Sequence, residues 1–229
     1  MTILVRQGGL FMATMTPNKI FERALALGTE AYQKQSRLSW GISLCATPIQ
    51  VGEGLILGIN WGGGGPRDKY EYGSQDKMPT PEEFQHDLNN GDYRFLIRSK
   101  GYVKQYLKVD LESGNFNYTN LCLFRSPNQK YLLPEDYESC FETFKLLVRE
   151  ISPLWIISLG TANIERLKAL DLTFSPQMKF SGRAKGCTGK LLDRSFYCVP
   201  HPNAHLSKSD RDSVWQDVFS GNSNQDTAA

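Results

Sequence analysis

Two of the chain's three histidines, His201 and His205, fall in one short stretch, His201-Pro202-Asn203-Ala204-His205-Leu206-Ser207. An imidazole placed there can donate or accept a hydrogen bond, move a proton or ligate a metal. A metal would need a carboxylate or thiolate beside the two rings, and Asp210 and Cys198 are the nearest in sequence. A second stretch, Asn60-Trp61-Gly62-Gly63-Gly64-Gly65-Pro66, could bring backbone N–H groups close to an anion. It is not a P-loop, because Pro66-Arg67 stand where Lys-Ser/Thr is required, and it is not GxGxxG. A connection that simply needs positive φ accounts for the glycines equally well. The third polar residue in apolar surroundings is Asn120.

These residues need elements to position them. The apolar run 54–60 reads as a strand buried on both faces that ends in the glycine loop. Runs at 118–124, 154–160 and 195–199 read as three more. Thr16-Pro17 and Thr80-Pro81 have the form of an N-cap followed by proline at the first helical position. The first is followed by Ile20, Phe21, Ala24 and Leu25 on one face, the second by Phe84 and Leu88. From Pro134, Tyr137, Cys140, Phe141, Phe144, Leu147, Val148 and Ile151 keep helical spacing for about four turns. Thr161 is placed to cap a helix carrying Ile164, Leu167 and Leu170, and Ser207 one carrying Val214, Trp215, Val218 and Phe219. Strands alternating with helices predict an α/β fold with three αβα layers around a central four-stranded parallel sheet. In such a sheet Asn60, Asn120 and His201 share the carboxyl rim, where ligands bind.

Composition narrows the function. With 229 residues, 40% hydrophobic and 22% charged, the chain suits one well-buried domain, assigned to 1–220, with a polar tail at 221–229. No apolar run is long enough to cross a membrane, and the start lacks a leader pattern, so a soluble cytoplasmic protein that does not enter a membrane is expected. The five cysteines form no CxxC pair, so neither a disulfide framework, a zinc site nor an iron-sulfur cluster is expected, and no cofactor. Net charge is only +2, yet between Lys179 and Arg211 seven cations face two acids. That local excess fits a polyanion, or an ordinary solvated face.

Taken in order, Leu55-Ile-Leu-Gly58-Ile59-Asn60-Trp61-Gly62, Tyr118-Thr-Asn120, Ile156-Ile-Ser-Leu-Gly160 and Val199-Pro-His201-Pro202-Asn203 resemble the uracil-DNA glycosylase superfamily. The likeness spans about 54–210 and is nearest to the branches with a Gly-x-Asn-Pro-Gly first motif, the mismatch-specific and single-strand-selective enzymes. It implies that Asn60 holds the attacking water and His201 donates to the base oxygen that gains charge. Gly58, Ile59, Trp61 and Gly62 would line the base site, Asn120 would read the base edge, and Tyr70 or Tyr72 would stack on it. Asn203, His205, Leu206, Ser207 and Lys208, with Arg183 and Lys185, would contact DNA, His205 or Leu206 as the wedge. Trp61 replaces the motif's proline and Asn203 the serine of His-Pro-Ser, and Gly62 stands where one branch bars thymine with tyrosine.

The implied chemistry is hydrolysis of an N-glycosidic bond, which leaves an oxocarbenium-like sugar and a base anion. A neutral imidazole donor stabilises that anion without proton transfer. An amide such as Asn60 has no useful pKa and can only hold water in line, so turnover should be modest. A monomer acting on uracil or a related damaged base in DNA is the expectation. A catalytically weak or inactive nucleic-acid-binding member of the same fold, and an α/β enzyme using the glycine loop for nucleotides, are the alternatives.

Overall fold

The computed structural model describes residues 15–35, 37–58, 61 and 73–220. Helix α1 (Pro17–Lys34) begins where expected, with the Thr16 hydroxyl accepting from the Lys19 N–H and Ile20, Phe21 and Ala24 buried. Helix α2 (Pro81–Asn90) opens with a full capping box between Thr80 and Glu83 and stops at Gly91, whose φ of 83° ends the helix in the left-handed region. Helix α4 (Pro134–Ile151) buries the predicted stripe except for Phe141, which is partly exposed, and the Asp136 carboxylate accepts from the Leu133 N–H at 2.7 Å to close its first turn. The hydroxyl of Ser207 caps α6 (Lys208–Phe219) at 3.0 Å from the Asp210 N–H.

The sheet departs from the expected four parallel strands: it has six, in a mixed arrangement. Strands β1 (Leu55–Gly58), β2 (Asn117–Asn120), β3 (Trp155–Leu159) and β6 (Arg194–Val199) do lie parallel, in the spatial order β2-β1-β3-β6. Strands β4 (Gln177–Ser181) and β5 (Ala184–Leu191) then extend that edge antiparallel. Turn geometry accounts for the addition. Leu192 and Asp193 link β5 to β6 with φ of 49° and 63°, the two-residue hairpin conformation with both central φ positive. It lacks the usual Asn-Gly signature and is held by the Asp171 carboxylate, which accepts from the Leu192 N–H at 2.7 Å.

Three further differences bear on the site. Strand β2 ends at Asn120; beyond it the buried chain leaves the ladder, and Phe124 forms an isolated bridge with Ile42. Thr161 does not cap a helix: Gly160, at φ 104°, turns the chain into a single 3-10 turn, Thr161–Asn163, before α5 (Ile164–Leu170). The segment 91–108 contains a helix, α3 (Arg94–Leu107), that starts at Tyr93 without a side-chain cap.

Helices cover both faces of the sheet. Leu55 and Leu57 pack with residues of α1, α4 and α5, while Ile56 points oppositely into a cluster containing Phe84 of α2, Leu96 and Val103 of α3, and Val214, Trp215 and Val218 of α6. Among the described residues no helix is long and apolar enough to cross a membrane. The chain that returns at residue 73 is pinned to the core by Gln75. Its side-chain oxygen accepts from the N–H groups of Leu44 (2.8 Å) and Cys45 (3.2 Å), and its amide nitrogen donates to the Cys45 carbonyl (3.0 Å). Its backbone N–H reaches the Ile42 carbonyl at 2.8 Å.

Candidate functional site

The parallel strands deliver their polar ends to one rim, and β1 and β3 diverge there to opposite sides of the order, the crevice that open α/β sheets use for ligands. Asn120 closes β2 opposite Gly58 of β1. Its side chain has no exposed surface, and neither amide atom makes a well-formed hydrogen bond. A buried amide left so costs about 1–3 kcal/mol per unmet group, the kind of deficit found where a ligand supplies the missing partners. Gly58 is glycine for a steric reason: a Cβ there would lie 2.2 Å from Asn120 Oδ1 and 2.4 Å from the Tyr118 hydroxyl oxygen. Burial pushes the Tyr118 phenol well above its ordinary range, Tyr93 adds to the rise, and the nearby Asn120 amide opposes it slightly. The phenol therefore stays a donor.

The third rim residue is Asn163, which the sequence reading overlooked. Its Nδ2 donates to the Gly58 carbonyl at 2.9 Å, while its Oδ1 is buried without a partner. Two unsatisfied amides thus flank the end of β1. The signal was available, since the turn after an apolar strand is where rim residues sit.

His201 follows β6 at the same rim. The Asn203 N–H donates to His201 Nδ1 at 3.2 Å, and the His201 carbonyl accepts from the Ala204 N–H at 2.9 Å. Burial lowers the imidazole's pKa from its ordinary value, so the ring is neutral. A backbone N–H can only donate, so Nδ1 is the acceptor and the ring's one proton sits on Nε2. His201 is thereby fixed as a neutral Nε2–H donor.

Aromatic rings connect the two ends of the site. Phe95, in the first turn of α3, lies 5.5 Å from the Tyr118 ring centroid and 6.4 Å from that of His201, tilted 30° to the imidazole. Trp61 stands edge-on to Tyr118 at 5.4 Å, and its indole Nε1 is buried without a partner. Tyr93 completes the group at 6.0 Å from Tyr118. Neither Tyr93 nor Phe95 was anticipated, because α3 starts without a cap to announce it. The expected stacking residues Tyr70 and Tyr72, together with Ile59, Asn60 and Gly62, lie outside the described residues, as does the tail 221–229.

A cleft of about 280 Å³ opens at His201, lined by Gly160, Thr161, Ala162, Arg183, Lys185, Pro200, Ala204 and Leu206. Asn120 does not line it; among the described residues the two are linked through the rings of Tyr118 and Phe95, and through Gly58 and Asn163 to the turn on the cleft wall. Of the two candidate wedges, Leu206 packs partly against the core while His205 is exposed, so His205 is the free side chain. Asn203 is exposed, but its Oδ1 accepts from Arg98 Nη1 of α3 at 2.5 Å. The Ser207 hydroxyl is engaged in capping α6. Lys208 faces away from the cleft at His201, into a groove of about 480 Å³ shared with Arg98, Tyr102 and Asp212. Cations therefore stand on both sides of the His201 loop, Arg183 and Lys185 on one, Arg98 and Lys208 on the other. Among the described residues no group of three or more His, Cys, Asp and Glu side chains could hold a metal. No protein-family model matches this chain, and no curated protein matches it.

Proposed function

We propose that this protein is a monofunctional DNA N-glycosylase that hydrolyses the N-glycosidic bond of uracil or a related damaged base swung out of DNA. One observation carries the proposal: a neutral imidazole whose only proton is on Nε2 shares a sheet rim with a buried, unpartnered amide. Resemblance to the uracil-DNA glycosylase superfamily in four ordered segments supports the same assignment, as does the parallel order β2-β1-β3-β6 that gathers those segments' ends.

The roles follow from the chemistry. As the bond breaks, negative charge develops on a base oxygen, and His201 Nε2–H donates to it without losing the proton. A donor of this type is worth about 3 kcal/mol in the transition state, roughly a hundredfold in rate. The Asn120 amide carries both a donor and an acceptor, which suits a pyrimidine edge, and binding would satisfy atoms now left unpaired. Asn60, two residues beyond Gly58, is assigned the water. Extruding the nucleotide costs a few kcal/mol, offset by these bonds and by stacking, for which Phe95 is the described ring nearest His201. Because Asn120 has no exposed surface, a base reaches it only after neighbouring side chains move, and Trp61, which packs on the adjacent Tyr118, is assigned that motion.

The test is release of free base from oligonucleotides carrying uracil, hypoxanthine, xanthine, hydroxymethyluracil or ethenocytosine, single-stranded and opposite each base. The expected outcome is release from at least one, lost about a hundredfold in His201→Ala. Release from none would sink the proposal. The sealed position of Asn120 favours one alternative, a binding member of the same fold without catalysis. It would be selected if wild type binds oligonucleotides, releases no base, and binds unchanged after His201→Ala.

A further inference from the structure

The β4–β5 hairpin presents an apolar patch that bond cleavage at His201 does not require. Strand β4 is the sheet's outer edge. Its two faces are distinguished by Gly186 of β5, whose Cβ would lie 2.6 Å from Val214 and 2.9 Å from Val218, so that side is roofed by α6. Ser181, paired with Ala184, shares that roofed face. Side chains alternate along a strand, so Lys185 points to the opposite face, and so does Phe180, its partner across the ladder. Lys185 lines the His201 cleft. Phe180 is 60% exposed and Met178, two residues before it on the same face, 38%. Among the described residues neither Arg183 nor Lys185 takes part in an ion pair.

We infer that this hairpin grips a single-stranded stretch of the nucleic acid next to the His201 cleft, with Phe180 stacking on an unpaired base and Arg183 and Lys185 neutralising the adjoining phosphates. The inference rests on the proposal that the cleft acts on DNA and specifies the form that DNA takes. Charge complementarity selects a polyanion, since two unpaired cations flank the exposed ring. The ring selects a single strand, because a stacked duplex hides the faces of its bases, whereas an unpaired base offers a π-face to any aromatic platform.

The experiment measures binding of the full chain to a labelled oligodeoxycytidylate strand and to its duplex of equal length, neither containing thymine, uracil or a damaged base, by fluorescence anisotropy over a range of salt. Wild type is expected to prefer the single strand. Phe180→Ala should weaken that binding about tenfold and leave duplex binding unchanged, and Phe180→Trp should restore it. Arg183→Gln with Lys185→Gln should flatten the slope of log K against log salt by about 1.4, the contribution of two phosphate contacts on a single strand. Unchanged affinity in Phe180→Ala, equal loss on strand and duplex, or full affinity in Phe180→Leu would overturn the inference. So would a change of oligomeric state in Phe180→Ala with DNA binding intact, which would mark the edge as a contact between copies. Because the probes carry no excisable base, hairpin-dependent binding without base release would overturn the glycosylase proposal alone. Base release from a hairpin-blind enzyme would overturn this inference alone.

Discussion

Replacing Gly58 by alanine tests whether the buried amide of Asn120 is positioned for a ligand. The new methyl would sit 2.2 Å from Asn120 Oδ1 and 2.4 Å from the Tyr118 hydroxyl, where carbon and oxygen normally approach to no less than about 3.3 Å. About 1 Å must therefore be found at each contact. The strand cannot retreat, because β1 is paired on both sides, to β2 and to β3. Tyr118 is confined by Trp61, Tyr93 and Phe95, so the displacement falls on the Asn120 side chain. Overpacking of this kind costs about 1–3 kcal/mol, and the lower entropy of the unfolded alanine chain returns about 0.4–1 kcal/mol. A net loss of about 1–2 kcal/mol corresponds to a Tm lower by roughly 2–8 °C for a chain of this size. Thermal unfolding with Gly73→Ala as control, where a Cβ meets nothing within 4 Å, isolates the effect. Base release measured well below the Tm should fall more than tenfold, because the variant is folded but its amide is displaced. A variant as stable as wild type would refute the packing argument, and a destabilised variant with full activity would refute the role of Asn120.

Three further outcomes are expected. Burial holds the His201 imidazole below its ordinary 6.5, so the unfolded chain takes up that proton first as pH falls. The stability involved is complete above about 6.5 and declines beneath it until the folded ring protonates; His201→Gln should flatten that part of a plot of urea midpoint against pH, and an unaltered slope would count against a neutral buried ring. Gly101 lies inside α3 with open space where a Cβ would go, so Gly101→Ala should raise stability by about 1 kcal/mol in urea unfolding. The partly exposed Arg37 bonds the buried Asp136 carboxylate at the start of α4 and donates to the Tyr131 carbonyl at 2.5 Å; Arg37→Ala should cost about 1–3 kcal/mol, measured the same way, and a cost near zero would show the contact to be idle.

What the sequence disclosed, and what it hid, divides along physical lines. Helix α4 was legible because Tyr137, Cys140, Phe141, Phe144, Leu147, Val148 and Ile151 repeat at the helical period, and α1, α2 and α6 because Thr16, Thr80 and Ser207 cap them. Strands β1, β3 and β6 are apolar on both faces because helices cover both, which makes them visible as runs. Strand β2 is Asn117-Tyr-Thr-Asn120, polar because its side chains serve the rim and the neighbouring loops, so the apolar run read as strand lay mostly beyond it. Strands β4 and β5 went unseen: one face meets solvent, and the Leu192-Asp193 turn owes its positive φ to tertiary support from Asp171. At the rim, the placing of Asn120 and His201 was legible from the rule that parallel strand ends gather on one side. Phe95 and Arg98 were not, because they reach the His201 loop from a helix without a cap signal, and no local pattern reports that approach.

The clasp formed by Gln75 has an architectural consequence. One carboxamide serves three main-chain groups, the N–H of Leu44 and both the N–H and the carbonyl of Cys45, and so ties residue 75 to a segment 30 positions earlier. A shorter or charged side chain at 75 would therefore leave several main-chain groups short of partners at once, a larger loss than one hydrogen bond would suggest.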